Sequence, residues 1–94
     1  MLRISYSDIA GEQRWSLYGR LAGPWVAEMR DCWRLIRDRA PLAPSVVDLT
    51  HVTFVDKDGE TLLAEMLTGG TALVAAGVEN KYLIESLKND GGAK

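Results

Sequence analysis

The chain has 94 residues, 47% of them hydrophobic and 26% charged, with a net charge of −2. That length fits one domain, residues 1–94, whose single core must recruit nearly every element, and the composition excludes both disorder and membrane embedding. Its 11 basic and 13 acidic residues are spread along the chain, so there is no basic stripe and no nucleic-acid partner is expected.

Leu2, Ile4 and Tyr6 alternate with Arg3, Ser5 and Ser7, the period of a half-buried strand. Turn residues follow from Asp8 to Gln13, and Trp15, Leu17, Gly19 and Leu21 then alternate again. Two such strands with a short connection predict an antiparallel hairpin. Gly23-Pro24 breaks the pattern and opens a helix, because proline is favoured in the first turn. Trp25, Met29, Cys32, Trp33 and Ile36 fall on one face of that helix, which Pro41 and Pro44 end. Arg30, Arg34 and Arg37 interleave with Glu28, Asp31 and Asp38, as on a solvated face.

The run from Ser45 to Leu49 suits a strand buried on both faces, as in a parallel sheet. Thr50 to Asp58 reads as a connection in which Val52, Phe54 and Val55 pack against the core. Leu62, Leu63, Met66 and Leu67 mark a second helix closed by Gly69-Gly70, with Asp58 placed as its cap. Ala72 to Ala76 reads as another buried strand. Asn80 is placed to cap a third helix with Tyr82, Leu83 and Leu87 inside, and residues 89–94 read as a polar tail beyond a core of about 2–88. The order is β-β-α-β-α-β-α, an α/β fold with a mixed sheet.

Catalytic constellations are scarce. His51 is the only histidine, with no nucleophile motif beside it, and reads as a surface or turn residue. Cys32 sits within an apolar helix face and reads as a small core residue. The glycines lack the spacing of a phosphate loop. Neither catalysis, a cofactor nor a metal is expected. A lone cysteine excludes an internal disulfide and fits a reducing, cytoplasmic setting. The first residues read as a strand rather than a leader, and no apolar run approaches the ~20 residues that span a bilayer, so no membrane insertion is expected.

The segment Val46-Val47-Asp48-Leu49-Thr50-His51-Val52-Thr53-Phe54-Val55-Asp56-Lys57-Asp58-Gly59-Glu60-Thr61-Leu62-Leu63 is the informative one. Asp48-Leu49, Val52, Phe54, Asp56, Gly59, Leu62 and Leu63 resemble the signature of the STAS family, the domain of sulfate transporters and anti-sigma factor antagonists. In that family a strand ending in Asp-Leu leads through Asp-Ser-Ser/Thr-Gly into a Leu-rich helix. Gly19-Arg20-Leu21 resembles the family's Gly-Xaa-Leu at the end of the second strand.

The resemblance implies a STAS-like, non-catalytic protein-binding regulator in signalling or transcription regulation. Its contact surface would comprise Asp56, Lys57, Asp58, Gly59 and Thr61. The implied partner is a kinase-type anti-sigma factor or, alternatively, the ATPase of an ABC transporter on which the chain docks as an accessory subunit. In the antagonists a kinase phosphorylates the second hydroxyl residue of the motif. Asp58 stands there and Lys57 precedes it, so that switch has no hydroxyl to act on, and Asp58 reads either as a phosphate mimic or as a helix cap. Ala22 stands where the family often has Asp near its partner surface. Family members usually add a last strand and helix, which this chain would lack. A second copy, as a homodimer, or a partner would then cover the open sheet edge.

Overall fold

The computed structural model describes residues 1–75 and 81–87. Its elements follow the predicted order: β1 (Leu2–Ile9), β2 (Glu12–Leu21), α1 (Pro24–Arg39), β3 (Ser45–Val55), α2 (Lys57–Thr68) and β4 (Ala72–Val74). A third helix, α3, spans residues 81–87. The four strands form one mixed sheet in the order β1-β2-β3-β4. The β1–β2 pair is antiparallel, and β3 and β4 join in parallel. The expected cap at Asn80 and the expected tail from residue 89 lie outside the described residues.

The hairpin closes more tightly than its turn residues suggest. Ile9 faces Glu12, leaving only Ala10 and Gly11 between the strands, both with positive φ (55° and 85°). This is the backbone of a two-residue turn whose twist matches that of the flanking strands. Glycine adopts it freely, whereas Ala10 has a Cβ that opposes it.

Strand β3 is longer than its apolar run, and the reason is geometric. Val47, Leu49, Val52 and Val55 break strict alternation, which makes residues 50–55 read as a loop. The pairing with β2 shifts between Ser16 and Tyr18 and again between Gly19 and Arg20. Each shift gives β3 one extra residue, Thr50 and then Thr53, and each bulge restores the inward phase. Val47, Leu49 and Val52 are therefore all buried. The strand is nevertheless covered on one face only: Val46, Asp48 and Thr50 are half-buried, and His51, Thr53 and Phe54 are exposed. Right-handed crossovers put α1 and α2 on the same side of a sheet that grows in one direction.

The core lies between that side and the helices. Trp15, Leu17, Leu21, Val47 and Leu49 meet Val26, Met29 and Trp33 from α1 and Leu62, Leu63 and Met66 from α2. Trp25, Cys32 and Ile36 are only partly buried, while Val26 is a core residue that the five-residue face omitted. In α3, Tyr82, expected inside, is 78% exposed, whereas Ile84, absent from the expected inner side, is buried at 5%. The Trp33 indole N–H donates to the Thr71 hydroxyl at 3.1 Å, so a buried polar group finds its partner. The arginines of α1 are not simply solvated. Arg30 and Arg34 reach Glu65 of α2 at 3.5 and 2.9 Å, and Arg37 lies over the Trp33 ring.

Among the described residues, the opposite face of the sheet carries cross-strand ladders. Arg3 lies 5.5 Å from the Tyr18 ring, and Tyr18 stacks on His51 at 5.0 Å. Arg20 lies 4.7 Å from the Phe54 ring. Such pairs cover aromatic surface with charge and help an open face tolerate water. No helix among the described residues is long and apolar enough to cross a membrane.

Replacing Ala10 by Asn, which tolerates the left-handed region, is expected to stabilise the fold by about 0.5–1 kcal/mol. A raised urea midpoint with an unchanged denaturant slope would record it.

Candidate functional site

Asp56 is the single residue between β3 and α2, and it holds three segments together. Its Oδ1 accepts a hydrogen bond from the Gly59 amide at 2.8 Å, and its Oδ2 accepts one from the Gly23 amide at 2.9 Å. The first bond caps α2, satisfying an N–H that has no intrahelical acceptor. The second fastens the β2–α1 connection to the same carboxylate. The Asp56 amide in turn donates to the Leu21 carbonyl at 3.3 Å, joining the end of β2 to the start of α2.

These bonds fix the charge of the site. The amides of Gly23 and then Gly59 hold the Asp56 carboxyl below its ordinary value. A group whose folded pKa is depressed stabilises the fold above its unfolded pKa, and that contribution is lost as pH falls through the folded value.

Asp58, the expected cap, does not cap the helix; Asp56 does. The two aspartates are equally suited by chemistry, and the apolar spacing of the helix does not fix its first residue. The buried stripe does: Gly59, Leu62, Leu63 and Met66 form it, so Gly59 already lies inside α2. Asp58 is then free to face outward, exposed beside Lys57 and Thr61. Its negative charge, with that of Glu60, still suits the first turn of a helix. The Thr61 hydroxyl donates back to the Lys57 carbonyl at 3.1 Å.

Gly59 is required by close approach. A Cβ at this position would run into the Leu21 carbonyl oxygen and stand 2.8 Å from Val55 Cγ1. Gly19 is constrained in a different way, with φ at +100° and the Met1 carbonyl beside it. Both glycines of the matched motifs therefore have structural reasons to be glycine.

Asp48, the first aspartate of the segment, serves the first bulge. Its Oδ1 accepts from the Thr50 amide at 2.9 Å, and Arg14 lies 3.7 Å from its Oδ2. Burial pushes its carboxyl up, but the Thr50 hydroxyl and amide and the charges of Arg14 and His51 leave it below its ordinary value.

The structure thus brings Asp56, Lys57, Asp58, Gly59 and Thr61 into one helical turn. It adds Gly23 and Leu21, which the sequence reading did not assign to the site. No sequence signal links Gly23 to Asp56, since their contact spans 33 residues. His51 lies on the open sheet face against Tyr18. Among the described residues no group of three or more His, Cys, Asp or Glu side chains is placed to hold a metal.

Replacing Asp56 by Ala is expected to lower stability at neutral pH and to flatten its acid dependence. The gap from wild type should be constant above about pH 6 and narrow below the ordinary value of 3.8. Thermal melts across that range measure it. Replacing Gly59 by Ala gains at most about 1 kcal/mol of helix propensity, against about 1–3 kcal/mol for forcing atoms into a packed site. A net loss is expected in urea denaturation.

No protein-family model matches the chain, and no curated protein matches it.

Proposed function

We propose that the chain is a non-catalytic, cytoplasmic regulator of the STAS type, binding a protein partner through the start of α2 and the adjoining β2–α1 connection. The observation that carries this reading is the Asp56 carboxylate, which binds Gly23 and Gly59 together. It holds two segments of different origin as one preformed surface, and a preordered surface loses less entropy on binding. On that surface Lys57, Asp58, Glu60 and Thr61 are exposed, giving a partner a charged and specific contact.

Asp58 occupies the position that antagonists phosphorylate, and since Asp56 is the cap, Asp58 has no capping role to explain it. In this reading its carboxylate stands in for the phosphorylated state and disfavours a kinase-type anti-sigma factor. The imitation is partial, because a carboxylate carries about one charge where a phosphoserine carries about −1.5 to −2 and three acceptor oxygens.

The test is affinity capture from a lysate of the source cells, with wild type beside Asp58→Ser and bound proteins identified by mass spectrometry. The expected outcome is a kinase-type anti-sigma factor recovered at least about tenfold more strongly by the serine variant, the equivalent of one pK-sized step of interaction. Equal recovery of an ABC transporter ATPase by both forms would replace this reading with the transporter-accessory one. Recovery of neither class would overturn both.

A further inference from the structure

Strand β1 is an edge of the sheet, and it lacks the features that keep edges from pairing. Its eight residues run against β2 in unbroken register, with no bulge along them. It contains no proline and no lysine, and its two charges, Arg3 and Asp8, stand near opposite ends. Among the described residues no strand covers its outer side. Long regular edges of this kind present a row of backbone donors and acceptors to another strand.

Beside the edge an apolar groove of about 420 Å³ opens between β1 and α1, lined by Ile4, Tyr6, Trp15, Cys32, Leu35 and Ile36. Leu35 is 55% exposed and Tyr6 38%. Glu28, Cys32, Leu35 and Arg39 recur at i, i+4, i+7 and i+11 along α1, one stripe on the helix surface. Glu28 and Leu35 from this stripe also line the groove.

That stripe is complementary to itself when reversed. Set antiparallel to its own copy, it places Glu28 against Arg39 at both ends and Cys32 against Leu35 in the middle. The edge strand pairs with its own copy in the same sense. Antiparallel pairing about Ser5 sets Ile4 against Tyr6 on the helix side of the sheet and Arg3 against Ser7 on the other, with Leu2 opposite Asp8 at the two ends. Parallel pairing would instead oppose Arg3 to Arg3.

We propose that two copies of this chain pair through β1 about a twofold axis at Ser5, forming one continuous eight-stranded sheet with the α1 stripes meeting across the axis. The dimer closes both grooves and leaves neither β1 edge exposed. The interface is isologous, as a twofold requires.

Sedimentation of the full chain over a wide concentration range, at low and at moderate salt, tests the pairing. The wild type should reach twice its 10.4 kDa mass. Glu28→Arg and Arg39→Glu should each weaken association by about tenfold at low salt, since each reversal creates two like-charge contacts. The double variant should restore it. Both positions of this test are exposed helix residues, so circular dichroism should show an unchanged fold.

The register has its own readout. Directly opposed residues on antiparallel strands have Cα atoms about 4.5–5.5 Å apart, within disulfide range. Ser5→Cys in a Cys32→Ser background should therefore oxidise to a covalent dimer. A wild type that is monomeric throughout overturns the proposal, as does a dimer that ignores both charge reversals or fails to cross-link at position 5.

Discussion

The closeness of α2 to the end of β2 is the constraint on which the rest of the site depends. The Leu21 carbonyl occupies the space where a side chain at position 59 would begin. That carbonyl also accepts the Asp56 amide, so the first turn of α2 is held where only glycine fits. Once the turn is there, the free amide of Gly59 needs an acceptor, and the Asp56 carboxylate is the near one. The second oxygen of the same carboxylate is then aimed at the β2–α1 connection, where Gly23 supplies an amide. A packing requirement is in this way converted into an electrostatic one. Gly23 has a positive φ of 60°, which lets the chain turn toward that oxygen before Pro24 starts α1.

The order of elements was legible in the sequence because each has its own period or punctuation. The hairpin alternates, α1 opens on Gly23-Pro24, and α2 stops at Gly69. What was not legible arises where tertiary pairing overrides local pattern. Val52 and Val55 fall out of phase with Val47 and Leu49, and only the β2 register shows that Thr50 and Thr53 are bulge residues. A period-two reading ends the strand at Leu49 for sound local reasons and misses half of it. The expectation of burial on both faces failed for a related reason. A short β-branched run looks the same whether helices cover one side of a parallel sheet or both.

The candidate site was legible as a segment but not as a geometry. Asp56, Lys57, Asp58, Gly59 and Thr61 do lie together at the start of α2, yet the cap is Asp56 and not the expected Asp58. The distinguishing clue lay in Gly59, which continues the stripe of Leu62, Leu63 and Met66 backward by one turn. A small residue on the buried side of a helix start signals close approach of another backbone. Gly23 carried no such clue. Its pairing with Asp56 exists only because the ends of β2 and β3 lie side by side.

The open face and the open edge call for different physical treatment, and the chain gives them different treatment. On the open face, guanidinium groups lie over Tyr18 and Phe54, which spends exposed aromatic surface on contacts within the chain. Along β1 the cover ends at Ile4: Tyr6 packs on Trp15 at 4.5 Å but remains 38% exposed, and Leu35 across the groove is more exposed still. A long regular edge with no proline, lysine or bulge invites another strand to pair with it. The self-complementary order of charges on α1 makes a second copy the natural occupant. Because β2 separates β1 from the β3–α2 junction, pairing at that edge leaves the Asp56 surface open to a different partner.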